Sequence, residues 1–202
     1  MKSTTVTFRR GLLLFAGVTF AACGSDSTGP GGGGGGGGGG PEFPEVPPAA
    51  QIFTDDIDSE NGGVGELNYT GWANWDVVEG CVDLHGPGSV NPLPGLGVYI
   101  DMDGSCAEAG TMESKQTFDL AVGDYTLEFL MAGNHQFAQV DTLDVSIGSA
   151  LSGQFILDWE EPLEVRGVNF TATEATSGKI RLEHRGGDEQ GILIDAIRLR
   201  RN

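Results

Sequence analysis

The chain has 202 residues and carries 29 acidic side chains against 11 lysines and arginines, which gives it a formal net charge of −18. A surface this acidic repels nucleic acid and anionic lipid headgroups, so the composition excludes nucleic-acid binding and membrane attachment through basic patches. No Lys or Arg occurs between Gly11 and Ser114, so the acids of that stretch must be solvated or must bind cations.

The first 22 residues have the pattern of a bacterial export signal. Lys2, Arg9 and Arg10 precede an apolar run over 11–20, which is shorter than the roughly 20 residues of a membrane span. Ala21 and Ala22 then lead into Cys23, which resembles the lipid-attachment site of bacterial lipoproteins. The sequence therefore predicts a signal peptide over 1–22, a lipidated Cys23, and an exported protein at the outer membrane or cell surface. A plain secretory signal is the alternative.

Residues 23–50 have the composition of a tether. Ten consecutive glycines are followed by the proline-rich segment PEFPEVPPAA. Glycine runs form flexible coils and proline-rich runs form stiffer extended spacers. We therefore expect a disordered Gly/Pro linker between the lipid anchor, which would be the only membrane contact, and the folded domain.

Residues 51–202 show a period of two, which is typical of half-buried β-strands. Turn-forming pairs such as Gly123-Asp124, Ser152-Gly153 and Gly186-Gly187 separate the strands. Short, evenly spaced strands over this length predict an all-β domain, a single antiparallel β-sandwich of the jelly-roll kind. The alternating apolar residues include Val98, Ile100 and Met102, then Phe118, Leu120 and Val122, then Tyr125, Leu127, Phe129 and Met131.

Two cysteines lie within the predicted domain. In an exported protein an even pair favours a disulfide, here between Cys81 and Cys106. The bridge would close a loop of about 25 residues. Two free, buried thiols are the alternative.

Four strings together resemble a galactose-binding-like β-sandwich found in exported bacterial proteins and often called the choice-of-anchor domain. The resemblance covers most of residues 52–199 and implies a non-catalytic surface module similar in outline to jelly-roll carbohydrate-binding modules. The strings are FTDDIDSENGGVGELNYTGWANWDVVEGCVDLHG, GLGVYIDMDGS, SKQTFDLAVGDYTLEFLMAGN and GGDEQGILIDAIRL.

Asp195 is the most conspicuous acid. In ILIDAIRL it has the same parity as Leu193, Ile197 and Leu199, which predicts a carboxylate on an apolar face. Related jelly-roll modules imply a structural Ca²⁺ between such an acid and the chain's N-terminal loop. Asp58 and Glu60 would then be further ligands, since Ca²⁺ takes six to eight oxygens. The alternative is a carboxylate capped by backbone N–H groups.

Two groups of residues are candidates for ligand binding. Trp72 could stack on a sugar ring or belong to the core, whereas Trp75 is assigned to the core. Two loops carry amides, an acid and a guanidinium suited to vicinal hydroxyls, provided that the loops meet. Their residues are Asn134, His135 and Gln136 in the first loop and Arg185, Asp188 and Gln190 in the second.

The sequence contains no HExxH, no GxSxG and no nucleotide-binding glycine loop. We therefore expect a surface-tethered, non-catalytic module whose partner is an extracellular or cell-wall carbohydrate. A structural or adhesive lipoprotein that binds a protein is the alternative. An exposed aromatic residue beside amides would favour carbohydrate, and a flat apolar patch would favour protein.

Overall fold

The computed structural model describes residues 41–106 and 108–202, so the predicted signal peptide and Cys23 lie outside the described residues. Within these ranges the chain is almost entirely β, with short 3₁₀ turns at Pro48–Ala50 and Glu60–Gly63. No helix in the described part is long and apolar enough to cross a bilayer. The strands are β1 (Gln51–Asp55), β2 (Trp75–Glu79), β3 (Asp83–His85), β4 (Tyr99–Asp101), β5 (Thr111–Ser114), β6 (Phe118–Leu120), β7 (Gly123–Ala132), β8 (Val140–Ile147), β9 (Leu151–Asp158), β10 (Glu164–Ala172), β11 (Thr176–Gly178), β12 (Ile180–His184) and β13 (Leu193–Arg201).

The strands form two main antiparallel sheets. The first has the order β10-β7-β13-β4-β3, and β1 also pairs with β13. The second has the order β2-β5-β12-β8-β9, and β6 and β11 form a separate pair. The antiparallel β-sandwich predicted from the period of two is therefore confirmed.

The core lies between the two sheets, and alternation along the strands accounts for most of it. Val98, Ile100 and Met102 are fully buried, as the sequence predicts. Trp75 is also a core residue, because it is 1% exposed and its Nε1 donates to Asp55 Oδ2 at 2.7 Å. Val122 is an exception: it is 59% exposed, because it lies outside the strand that ends at Leu120.

Cys81 and Cys106 form the predicted disulfide, with their Cα atoms 6.2 Å apart. The bridge joins the β2–β3 connection to the loop after β4. Backbone bonds from Cys81 N to Glu108 O at 3.2 Å and from Gly104 N to Cys81 O at 3.0 Å hold the same segments together.

The segment over 41–50, which we expected to be the end of the tether, contacts the first sheet. The Arg198 guanidinium lies over the Phe43 ring, 4.5 Å from its centroid, and Arg198 Nη1 donates to Pro44 O at 2.8 Å. Arg198 also donates from Nε to Glu128 Oε2 at 2.7 Å. The cation–π contact and the bond to Pro44 O thus hold the 41–50 segment against β13, and the buried ion pair with Glu128 holds Arg198 in place.

Candidate functional site

The two loops proposed from the sequence meet at one end of the sandwich. The first follows β7 over 133–139, and the second follows β12 over 185–192. The Gln139 side chain joins them: its Nε2 donates to Gln190 O at 3.0 Å and to Asp188 Oδ1 at 3.3 Å. The β9–β10 connection also contacts the first loop, since Trp159 N donates to Gln139 O at 3.0 Å. The condition set from the sequence, that the two loops meet, is therefore fulfilled.

Asn134 holds the first loop in shape. It is fully buried, and its Oδ1 accepts from the backbone N–H groups of Gln136 and Phe137, both at 2.8 Å. Its Nδ2 donates to Asp141 Oδ2 at 3.0 Å. The expectation that Asn134 contacts ligand is therefore wrong: its side chain is buried, its oxygen holds the loop backbone, and its nitrogen bonds to the Asp141 carboxylate.

The fold of the first loop exposes an aromatic ring that sequence reasoning missed. Phe137 is 57% exposed, directly after the half-buried Gln136. His135 is also half-buried, with a positive φ of 54° and its Nε2 3.0 Å from Glu161 O. The sequence does contain a signal for Phe137, because it is a large aromatic residue in a polar loop between two strongly alternating strands.

A small notch opens between the loops. It has a volume of about 70 Å³ and is lined by Gln136, Glu189 and Gln190 together with buried Asp83 and His85 from β3. A water molecule occupies about 30 Å³ in the liquid, so the notch has room for a hydroxyl or hydroxymethyl group but not for a sugar ring. Its rim offers two amides and a carboxylate, which can bond to such a group in both directions.

Arg185 lies apart from the notch, on the outer face of the second sheet. Its Nε donates to Asp144 Oδ2 at 2.8 Å, and its Nη1 lies 2.7 Å from Glu183 Oε1. These groups line a groove of about 600 Å³ with Arg181 and Gln154. Hydrogen bonds from Gln154 and from Arg185 lower the pKa of Asp144. The prediction that Arg185 stands beside Asp188 and Gln190 is thus corrected, because acids on β8 and β12 bind its guanidinium.

Trp72 is not a platform for a sugar. It is 1% exposed, its Nε1 donates to Tyr69 O at 2.8 Å, and its ring meets the Tyr69 ring edge-on with centroids 4.9 Å apart. A ring enclosed in this way cannot stack on a ligand. The core alternative for Trp72 is therefore the correct one.

A buried cluster of acids and histidines lies against the two loops, and two of its acids accept hydrogen bonds from them. Asp103 is completely buried, and its Oδ2 accepts from Gly187 N at 2.6 Å and from Asp188 N at 3.0 Å. Asp141 accepts from Asn134 and, at 3.1 Å, from Gln139 Nε2. The Asp101-Met102-Asp103-Gly104 segment is thus the end of β4 and the start of the loop that follows, and its second acid anchors the β12–β13 loop.

Asp101 belongs to the same cluster. It is 1% exposed, and burial raises the pKa of its carboxyl to about 7. Its Oδ1 accepts from Asp103 N at 3.0 Å, and its Oδ2 lies 3.7 Å from His85 Nε2. The cluster therefore contains a carboxyl whose pKa is shifted by burial toward neutral pH.

Asp195 lies at an irregularity in β13 rather than on the core face. The register between β13 and β7 shifts between Ile194 and Ala196, so Ile194 and Ile197 both point into the core. A β-bulge of this kind reverses the parity of the residues that follow it. The predicted apolar-face position of Asp195 is therefore wrong, since its side chain lies on the outside with a partly buried surface.

The surroundings of Asp195 are acidic. It lines a cavity of about 420 Å³ with Glu42, Asp56 and Asp58 and with no lysine or arginine. Burial, and then the charges of Asp58 and Asp56, raise the pKa of Asp195 to about 7. Asp195 Oδ1 is buried and accepts no hydrogen bond from the part of the chain that the structure describes, so the backbone-capped alternative does not describe it.

Asp56 and Asp58 are placed beside this cavity by a strained turn. Asp58 N donates to Asp56 O at 2.7 Å across Ile57, whose φ is +62°. A positive φ is costly for a β-branched residue, and here the complete burial of Ile57 maintains it. The turn follows β1, whose last residue Asp55 pairs with Ile197 close to the bulge.

Glu60 is held elsewhere. Its Oε1 accepts from Ala73 N at 2.7 Å and its Oε2 from the Tyr69 hydroxyl at 3.4 Å. The structure therefore pairs Asp58 and Asp195, but not Glu60, in one cavity. Among residues 41–106 and 108–202, no three Asp, Glu, His or Cys side chains are already arranged to hold a metal ion.

Comparison with known proteins gives matches among solved structures. No protein-family model and no curated protein matches the chain. Among solved structures, the chain is similar to "BiXyn10A CBM1 APO", with 13% identity over 76% of this chain and 99% of the other and a TM-score of 0.43. It is also similar to a carbohydrate-binding module from Cellvibrio mixtus lichenase 5A in complex with cellotriose, with 14% identity over 75% and 98% of the two chains and a TM-score of 0.41. Likeness at this level carries no argument about function.

Proposed function

We propose that the domain is a non-catalytic carbohydrate-binding module that uses the loop end of the sandwich. The observation that carries this proposal is the exposed Phe137 ring in the loop that also contains Gln136 and Gln139 and that meets the second loop at Gln190. An aromatic face packs against the C–H groups of a pyranose, and neighbouring amides bond to its hydroxyls. The notch would take one hydroxyl or hydroxymethyl group of the sugar that lies over Phe137.

The groove on the second sheet supports a ligand longer than one sugar. Its volume of about 600 Å³ lies in the range of small-molecule sites. Arg185 and Asp144 hold each other in position before any ligand arrives, which lowers the entropy lost on binding. The groove lies apart from the notch, and we propose it as a second contact for a chain-like ligand.

The chemistry around the notch supports binding rather than catalysis. Ser105 is the hydroxyl beside His85, but its Oγ donates to Asp83 Oδ2 at 2.6 Å instead of to a histidine. A nucleophilic serine needs a base that accepts its proton, and Asp83 is further occupied by the N–H groups of Asn68 and Ser105. The hydroxyl at the notch is therefore not an activated nucleophile, which supports the proposal of a module that holds a glycan without cleaving it.

Replacement of Phe137 by alanine is expected to abolish the retardation of the full-length protein in native gels that contain polysaccharide. Stacking against an aromatic ring contributes much of the affinity in a shallow site whose Kd lies nearer 1 mM than 1 nM, about −4 rather than −12 kcal/mol. The matched control is Val122→Ala, because Val122 is similarly exposed, at 59%, at the opposite end of β7. The length of the retained polysaccharide should not change.

Gln190→Ala should weaken retention in the same gels. Retention that is unchanged in both Phe137→Ala and Gln190→Ala would exclude the loop end as the site. Specific capture of a protein by the same domain, without retention by any polysaccharide, would favour the adhesive alternative.

Tethering to the cell surface belongs to the same proposal. The signal peptide over 1–22 and the lipid on Cys23 lie outside the described residues, and the sequence pattern alone supports them. Many copies on one surface would raise the effective affinity of a weak glycan site by avidity.

We further propose that the acidic cavity around Asp195 binds Ca²⁺. Carboxylate oxygens are the ligands that Ca²⁺ prefers, and an unpartnered buried oxygen on Asp195 is expensive without a cation. Asp56 and Asp58 are both exposed, so their side chains can rotate toward Asp195. The ion would link the loop after β1 to the bulge in β13.

Addition of Ca²⁺ is therefore expected to raise the melting temperature of the full-length protein. A cation that binds only the folded state stabilises it by about 2.7 kcal/mol at a concentration 100 times its Kd. Asp195→Asn should abolish this gain, whereas Asp76→Asn, at an exposed position on β2, should retain it. Identical melting curves in chelator and in millimolar Ca²⁺ would rule out the site.

A further inference from the structure

His184 lies between the two acids that hold the loops of the proposed glycan site. Its Nδ1 is 3.9 Å from Asp103 Oδ2, and its Nε2 is 3.9 Å from Asp141 Oδ1. Neither ring nitrogen has a hydrogen-bond partner among the described residues, although the side chain is fully buried. Since both distances exceed a hydrogen bond, the ring is close to both acids without bonding to either.

Each of these acids is bonded to one loop. Asp103 Oδ2 accepts the N–H groups of Gly187 and Asp188 in the second loop. Asp141 Oδ1 accepts from Gln139, and its Oδ2 accepts from Asn134, whose own Oδ1 fixes the backbone of Phe137. A continuous path of contacts therefore runs from the second loop through His184 to the backbone of the proposed stacking ring.

We propose that His184 is a positioning residue that releases both loops when it takes up a proton. A neutral imidazole leaves the oxygens of Asp103 and Asp141 to the loops. An imidazolium carries two donors, and the nearest acceptors are the same two oxygens that already hold Gly187, Asp188 and Gln139. Bonding to them, or admitting water to the buried ring, weakens the contacts that keep the loops in place.

The electrostatic surroundings agree with this direction. Burial lowers the pKa of His184, against the opposing charges of Asp103 and Asp188. Because the closed loops depress the pKa below the ordinary value of about 6.5, protons favour the open loops, where the ring is hydrated. The stabilisation of the closed loops is therefore present above pH 6.5 and is lost as the pH falls through the depressed pKa.

Other titratable groups near the cluster must be distinguished from His184. They are Asp101 at the end of β4, with its pKa raised to about 7, and Asp141 on β8, with its pKa raised by burial. His85 on β3 lies 3.8 Å from Asp83 and 3.7 Å from Asp101. Its ion pairs within the described residues are with these two acids and not with Asp103 or Asp141. His135 lies in the first loop but contacts Glu161 O.

The experiment follows backbone amide exchange by NMR in the full-length protein between pH 5 and 8, corrected for the intrinsic exchange rate. The amides of Gly187, Asp188, Gln136 and Phe137 should lose protection together as the pH falls below 6.5. Each unit by which loop closure lowers the pKa of His184 corresponds to about a tenfold change in the opening equilibrium. The imidazole of His184, followed in the same samples, should titrate with the same midpoint.

His184→Gln should remove the pH step, and His135→Gln should keep it. Loss of protection that follows the titration of Asp101 or His85, or a His184 ring that stays neutral at pH 5 while the loops open, would overturn the proposal. These measurements on the wild-type protein decide the matter even if His184→Gln does not fold.

The glycan readout rests on the proposed function and is kept separate from the exchange measurement. Retention on polysaccharide gels should weaken at the pH at which the loop amides lose protection. A pH step in protection without retention at any pH supports the role of His184 and contradicts the glycan site. Retention that is constant across the protection step contradicts the role of His184 in positioning the site.

Discussion

Truncation of Trp72 to alanine is expected to lower the free energy of unfolding by about 3–5 kcal/mol, the usual cost of removing a large buried aromatic side chain. The ring is 1% exposed and packs edge-on against Tyr69. Its removal leaves a cavity and a Tyr69 carbonyl without its side-chain donor. Urea unfolding followed by circular dichroism measures the change.

The matched comparison is Phe137→Ala, because it also removes an aromatic ring but from an exposed position. We expect its free energy of unfolding to stay within about 0.5 kcal/mol of the wild-type value. The two variants should therefore separate stability from binding: Trp72→Ala loses stability, and Phe137→Ala loses only glycan retention. A Trp72→Ala protein that unfolds at the wild-type urea concentration would contradict the buried position of this ring.

Replacement of both Cys81 and Cys106 by serine is expected to lower the free energy of unfolding by about 3 kcal/mol. The bridge spans a sequence separation of 25 residues, and a cross-link of this length restricts the unfolded chain by about that amount in the chain-entropy model. Denaturant unfolding of the double variant against the oxidised wild-type protein gives the difference.

Reduction of the wild-type protein provides the control, since it breaks the same bond without changing the sequence. Reduced wild type and the double variant should unfold at similar denaturant concentrations. Two titratable thiols at Cys81 and Cys106 in the unfolded, non-reduced protein would contradict the disulfide, as would equal stability of the oxidised and reduced forms.

The local pattern of the sequence predicted the fold because a half-buried strand imposes its own period. Leu127, Phe129 and Met131 alternate with residues of the other face, and all three are completely buried in the structure. The same parity reasoning failed at Asp195. A β-bulge depends on how β13 meets β7 on one edge and both β4 and β1 on the other, and no residue within β13 specifies this arrangement.

The candidate site was only partly predictable. The sequence identified the two loops, and the Gln139 bonds to Asp188 and Gln190 confirm that they meet. The loops' polar residues were each candidates for contact with ligand, because sequence shows the chemistry of a side chain but not its direction. In the structure Asn134 supports the loop from inside, whereas Phe137, three residues later, is exposed.

What the sequence by itself determined was the all-β class, the strand faces and the disulfide, since these follow from periodicity within a strand and from the number of cysteines. The tertiary structure alone decided that Trp72 is enclosed by the chain around Tyr69, that Arg185 binds acids on the second sheet, and that His184 lies between Asp103 and Asp141. The Arg185 and His184 outcomes depend on contacts between segments that are distant in the chain. Whether a side chain is buried, paired or exposed depends on which other segment packs against it. The local sequence does not specify that segment.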